Sequence, residues 1–380
     1  HEMVRRSVRD FVKKEILPNI DDWEEAGEFP LALYAKAGEV GILGIGYPEE
    51  LGGTPGDLFF KVAASEELMR SGSGGLVAGL GSLDIAIPPI IRHGTDEQKE
   101  RFVKPVLAGK KIAALGITEP SGGSDVARLH TTAVRDGDVY VVNGSKTFIT
   151  SGCRADQITC AVRTGEEGAH GISFLVIEKG TPGFSTSTKL RKMGWWASDT
   201  AELFFRDVRV PLENLIGEEG QGFRQFMTFL NRTRIHVGAE GVGIAQGAFA
   251  EAAKYARHRE QFGQPIGSFQ GVQFMLADMA TQIEAARALV YQTARAIDAG
   301  EKDIAKISAM SKVFASDVAM RVTTDAVQIL GGYGYMKEYP VEKMMRDAKI
   351  TQIYEGTNQI QRTIIGSAVI KESAAKERSE

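Results

Sequence analysis

The sequence predicts a multi-domain α and β chain in the order helical, β, helical. An N-terminal α-helical domain is expected over 1–111, a middle β-barrel or sandwich domain over 112–221, and a C-terminal four-helix bundle over 222–380. Three observations carry this. Apolar residues recur at helical spacing at both ends of the chain, the period shortens in the middle, and turn chemistry punctuates the middle third. A chain of 380 residues with 43% hydrophobic content exceeds what one core usually organises, so two or three domains are expected.

In the first part, Val4, Val8, Phe11, Val12 and Ile16 fall on one helical face, as do Leu58, Val62, Ser65, Leu68 and Met69. Thr95-Asp96-Glu97-Gln98 has the form of a capping box, and it predicts a helix running to about Gly109. In the middle, Val139–Val142, Phe174–Ile177 and Leu203–Phe205 are short runs of β-branched and aromatic residues. Asp136-Gly137, Asn143-Gly144 and Thr181-Pro182-Gly183 are read as the turns that separate strands. Helical spacing returns after Gly222, with segments expected near 223–257, 270–299, 304–330 and a last pair around 341–370.

Composition removes several function classes. The 45 basic and 49 acidic residues leave a formal charge of −4, so no global field favours nucleic acid or an anionic membrane. No uninterrupted apolar run approaches the ~20 residues a spanning helix requires, and no leader pattern opens the chain, so no membrane insertion is expected. The start at His1 is read as a processed end. Two cysteines, Cys153 and Cys160, have neither metal-site nor disulfide spacing, which suits a reducing compartment, cytoplasmic or mitochondrial matrix. The six histidines never pair at ligand spacing, and no metal is expected. Gly241-Val242-Gly243-Ile244-Ala245-Gln246-Gly247 imitates a dinucleotide loop, but its spacing is wrong and no strand precedes it; small residues packing between helices explain it better.

One carboxylate stands out. Glu355, in Tyr354-Glu355-Gly356-Thr357, sits between a helical run and a glycine and is a candidate proton acceptor. This segment resembles the catalytic segment of the acyl-CoA dehydrogenases, and the helical, β, helical order matches that fold from end to end. The resemblance implies FAD-dependent dehydrogenation of an acyl-CoA thioester to a trans-2-enoyl-CoA. Glu355 would remove the α proton, and electrons would pass to an electron-transfer flavoprotein. Thr233 lies where branches with a relocated base carry their glutamate, so the short- or medium-chain arrangement is implied.

The same resemblance assigns contacts residue by residue. Leu115, Thr118 and Ser124, around Thr118-Glu119-Pro120, would meet FAD, as would Phe148 and Thr150, with Thr150 beside the flavin N5 edge. Phe148 stands where many relatives carry Trp. Arg259, Gln261, Phe262 and Gln270 would hold the pyrophosphate side of a neighbouring subunit's FAD, with Gln328, Gly331 and Gly332 along the adenosine half and Thr357 and Gln359 continuing the contact. Ser124, Asn231, Arg234, Tyr354 and Gly356 would contact substrate, Asn231 replacing the usual acid. A homo-oligomer, a dimer of dimers, is implied. Trp195-Trp196 would either cover the substrate entrance or pack in the core. Two other classes fit the same sequence: a non-catalytic helical assembly protein, and a flavin oxidase or monooxygenase of the same fold.

Overall fold

The structure, a computed structural model, describes residues 1–378. Nine helices open the chain: α1 (Glu2–Phe11), α2 (Ile20–Ala26), α3 (Ala32–Glu39), α4 (Leu58–Leu68), α5 (Gly74–Leu80), α6 (Leu83–Ala86), α7 (Pro88–His93), α8 (Asp96–Phe102) and α9 (Lys104–Leu107). The apolar stripe of α1 runs on into a π-helical turn, Val12–Ile16, and buries Val8, Phe11, Val12 and Ile16. The capping box forms. Thr95 Oγ1 accepts from the Gln98 N–H at 3.2 Å, and the Gln98 side chain accepts from the Thr95 N–H at 2.9 Å. The helix expected to reach Gly109 is instead broken at Val103, because Pro105 has no N–H to return to Arg101 and α9 must start afresh with Pro105 in its first turn.

The middle of the chain forms a seven-stranded sheet. Its strands are β1 (Ala113–Gly116), β2 (Thr132–Asp136), β3 (Val139–Thr150), β4 (Gln157–Arg163), β5 (Ile172–Glu178), β6 (Phe184–Thr186) and β7 (Thr200–Pro211). The order is β1-β4-β2-β3-β7-β6, with β5 on the free side of β4. Asp136-Gly137 does turn the β2–β3 hairpin. Asn143-Gly144 does not separate strands: it lies inside β3 as a bulge, where the pairing with β7 shifts between Val142 and Gly144. Gly144 has φ +145°, and an added Cβ would stand 2.6 Å from Thr131 Oγ1. Asn143 completes the bulge by clasping Asp207, its Nδ2 donating at 3.1 Å and its Oδ1 accepting from the Asp207 N–H at 2.9 Å. A second shift, between Lys146 and Ile149, throws Phe148 outward and returns Thr150 to register with Thr200.

The C-terminal part is helical: α10 (Gly222–His258), α11 (Gln270–Asp298), α12 (Ala305–Leu330), α13 (Val341–Ile350) and α14 (Asn358–Glu377). Between α10 and α11 a small hairpin pairs β8 (Glu260–Gln261) with β9 (Gln264–Pro265). At 37 residues α10 is about 55 Å long, and it packs on α4, α11 and α12 together. The glycines of the false dinucleotide loop make this possible: Gly241 faces the Ala315 backbone of α12, and Gly243 faces Met69. Among the described residues, no single helix is long and apolar enough to cross a membrane.

Three buried side chains tie the layers to one another. Gln98 donates to the Glu213 and Leu215 carbonyls at 2.7 and 2.8 Å, in the segment that leads from β7 to α10. From β4, Gln157 donates to the Phe102 carbonyl at 2.8 Å and Thr159 to the Ala86 carbonyl at 2.7 Å.

Candidate active site

Glu355 lies in the link between α13 and α14 with φ +50°, a left-handed conformation that strains a residue with a Cβ. The surroundings hold it there. Gln361 donates to the Glu355 and Gly356 carbonyls at 3.2 and 3.0 Å, buried Lys312 donates to the Gly356 carbonyl at 2.9 Å, and the Thr357 hydroxyl caps α14 by accepting from the Ile360 N–H at 3.3 Å. The backbone N–H of Glu355 has no acceptor among the described residues.

The carboxylate faces α10, where the Thr233 hydroxyl donates to Oε2 at 3.0 Å. Burial pushes the Glu355 pKa up to about 7, against the opposing pull of that hydrogen bond and of the nearby Arg234 and Lys312 charges. Lys312 is itself lowered to about 8 by burial. The neighbouring Tyr354 donates from its hydroxyl to Glu240 at 2.5 Å, and burial pushes Glu240 up to about 8. The site therefore contains two carboxyl groups that both protonate near neutrality.

Glu355 and Tyr354 line a cavity of about 100 Å³, and Thr150 lines the same cavity from the end of β3. Residues some 205 positions apart in the chain thus meet at one opening. Trp195 closes a wall of it, 6% exposed and edge-on to Tyr354 with ring centroids 5.1 Å apart. Asp347 fixes that indole's backbone, accepting from the Trp195 N–H at 2.6 Å and from the Gly74 N–H at 2.9 Å. Trp196 lies outside the cavity wall, with the Arg346 guanidinium over its ring at 4.1 Å and the Lys337 ammonium at 4.6 Å.

The residues expected around a flavin fall into two groups. In the sheet domain, Thr118 and Leu115 are half-buried, Ser124 lies in an exposed loop, and Phe148 is 69% exposed with φ +59°; of the residues expected there, Thr150 lines the Glu355 cavity. Glu119, within the Thr-Glu-Pro loop, points inward: it pairs with buried Lys146 at 2.8 Å and accepts from the His130 and Thr131 N–H groups. Burial would raise its pKa, but Lys146 and the hydrogen bonds outweigh that and hold it at about 2. It is the anchor of the loop that carries Thr118 and Ser124.

The second group lines an open groove of about 460 Å³, where Arg259, Gln261, Gly331 and Gly332 come together beside Tyr333. Phe262, at the tip of the β8–β9 hairpin, is 94% exposed, and Gln270 and Gln328 are exposed at the adjoining ends of α11 and α12. Nothing stands within 4 Å of where a Cβ on Gly331 or Gly332 would be, so both backbones are open to close approach. Gln359 is exposed on the first turn of α14. These donors fit FAD: an arginine fork for a pyrophosphate, bare glycine backbone for a nucleoside, and the Thr150 hydroxyl in the Glu355 cavity for the ring system. The groove and the cavity are separate openings of one chain.

Among the residues expected at the substrate, Gly356 and Tyr354 adjoin Glu355, and Asn231 accepts from Arg234 Nη1 at 2.7 Å. Arg234 is not on a solvated helix face. It is 1% exposed, its Nε has no partner, and burial lowers its pKa while Glu355 pulls it up. Lys312, Glu240 and His236 were not anticipated as parts of the site. The available signal was polar residues interrupting the apolar face of α10 at steps of three and four from Thr233.

Comparison with known proteins identifies the family. Family models match in sequence order: the acyl-CoA dehydrogenase N-terminal domain over 1–110, the middle domain over 114–208 and the C-terminal domain over 220–370. The butyryl-CoA dehydrogenase of Megasphaera elsdenii superposes with a TM-score of 0.93 at 43% identity, covering 97% of each chain. An acyl-CoA dehydrogenase from Bacillus anthracis, solved in complex with FAD, superposes at 0.92 with 35% identity over 99% of this chain and 68% of that one. The subunit CarC of the caffeyl-CoA reductase–Etf complex of Acetobacterium woodii is 41% identical, covering 98% of both.

Proposed function

The chain belongs to the acyl-CoA dehydrogenase family, flavoprotein oxidoreductases that use FAD, and from that premise we propose that Glu355 is the base of this member. The observation that carries the proposal is the meeting of a carboxyl with a near-neutral pKa and the Thr150 hydroxyl in one cavity. An acyl thioester α C–H is a weak acid, so the base must be available as a carboxylate at neutral pH yet not be quenched by water. Burial raises the proton affinity of Glu355, while the Thr233 hydroxyl, Arg234 and Lys312 keep a usable fraction ionised. The unpaired Glu355 N–H is free to polarise the thioester carbonyl as enolate character develops. Tyr354 and Trp195 exclude water from the reacting carbon. FAD, when bound, supplies the acceptor for the β hydrogen as hydride.

Thr118, Phe148 and Thr150 would hold the ring side of the cofactor, Ser124 would meet its phosphate and the acyl-CoA, and Arg259, Gln261, Gly331 and Gly332 would hold the dinucleotide side of a neighbour's. We infer a homo-oligomer, a dimer of dimers, because the groove on this chain is open and is not continuous with its own cavity. The cavity volume suits a short acyl group, in keeping with the butyryl-CoA relative. An electron-transfer flavoprotein is the inferred electron acceptor, supported by the relative named as part of an Etf complex.

The test is Glu355→Gln. The variant should bind FAD and stay yellow, while the rate of anaerobic flavin bleaching by butyryl-CoA falls by about 10²- to 10⁴-fold. Bleaching at the wild-type rate removes Glu355 from the reaction.

A further inference from the structure

The cavity is lined mainly by apolar side chains, Ile42, Leu43, Ile45, Leu68 and Leu80 among them, with a cluster of polar residues set into that lining. Lys61, Ser65, Ser82, Asp84, His236 and Glu240 belong to it. Lys61 donates to Asp84 Oδ1 at 2.6 Å and lies 3.6 Å above the Tyr47 ring, whose hydroxyl donates to the same oxygen at 2.7 Å. Polar atoms here are left with no hydrogen-bond partner among the described residues, Asp84 Oδ2, Glu240 Oε1 and His236 Nε2 among them, the last of these buried. An alkyl chain filling this space would seal those atoms from water with nothing in exchange, which buried polar groups do not tolerate cheaply.

Resting on the acyl-CoA reading of Glu355, we propose that this cavity selects a short acyl group whose tail carries a neutral hydrogen-bonding substituent, such as a hydroxyl, held by His236, Glu240 and Asp84. The spacing suits it. Thr233 touches the base, and His236 lies about 4.5 Å and Glu240 about 10 Å further along α10, so the polar residues follow the base one and two helical turns on. The charge balance argues against a carboxylate or an ammonium. The Lys61 ammonium is already matched by Asp84, burial keeps His236 neutral by lowering its pKa to about 4, and burial keeps Glu240 protonated near neutrality. Neutral imidazole and a carboxylic acid together offer a donor and acceptors, the complement of a hydroxyl.

The experiment uses the FAD-loaded Glu355→Gln protein, so that binding is read without turnover. Dissociation constants are measured by calorimetry for pentanoyl-CoA, 5-hydroxypentanoyl-CoA and glutaryl-CoA. The hydroxylated thioester should bind about tenfold or more tighter than pentanoyl-CoA, and a further His236→Leu substitution should shrink or reverse that preference. Equal or tighter binding of pentanoyl-CoA overturns the inference, and so does tightest binding of glutaryl-CoA. If His236→Leu does not fold, the comparison of the thioesters in the parent protein stands alone. Anaerobic bleaching of the wild-type flavin is followed in parallel. A hydroxyl preference in binding with no bleaching by either five-carbon thioester would support tail recognition while removing the dehydrogenation reading, so the two failures are distinguishable.

Discussion

Glu240 makes a prediction at the scale of a single side chain. Its pKa is raised by burial to about 8, so between the unfolded carboxyl range and pH 8 the folded state holds a proton that the unfolded state has released. The stability that this proton contributes is therefore fully present below the unfolded pKa and is lost as pH rises through the folded one. Glu240→Gln removes the ionisation, so its melting temperature relative to wild type should climb from pH 5 to pH 8 and then level off. Thermal melts at fixed ionic strength across that range check it, and a flat difference would mean that Glu240 is not buried in solution. Glu355 was legible in the sequence because a Tyr-Glu-Gly-Thr run is a local signal. Glu240, His236, Asp84 and Lys61 were not, because none sits in a motif of its own and they come from three helices that only folding brings together. Arg234 was read as a candidate substrate contact, but its burial was not legible: a guanidinium on a helix surface and one beneath it share the same local spacing.

At the scale of elements, the middle sheet shows where local pattern ends. Long helices followed their 3.6-residue period, and the segments expected near 223–257, 270–299 and 304–330 correspond closely to α10, α11 and α12. The strands β1 and β4 were missed because, buried along nearly their whole length, they show no alternation, and they lack the unbroken Phe174–Ile177 run of large apolar residues by which the equally buried β5 was read. Asn143-Gly144 has the composition of a two-residue turn, yet β3 runs through it, since a bulge also needs a residue tolerant of positive φ. Gly144→Ala should destabilise the protein by about 1–3 kcal/mol, because the new Cβ meets both Thr131 and an unfavourable φ. Denaturant titration measures it, and a change near zero would show that the Thr131 segment yields freely.

The molecule as a whole is joined by side-chain amides and hydroxyls rather than by apolar contact alone. Its order of helical, β and helical parts was visible in the changing period, but the joints were not, since Gln98, Gln157 and Thr159 bond carbonyls 55 to 117 positions away. Gln98 does two jobs at once, closing the start of α8 and holding the backbone that leads into α10. Gln98→Ala should lower the melting temperature and broaden the calorimetric endotherm, with the van't Hoff enthalpy falling below the calorimetric one. An endotherm as sharp as the parent's would mean that other contacts transmit cooperativity. The same joint bears on how the chain matures. The carbonyls of Glu213 and Leu215 leave the ribosome more than a hundred residues after Gln98, so the opening helices must wait, their amide partner unmet, until most of the sheet has been synthesised. During that interval they are the stretch a chaperone would find exposed.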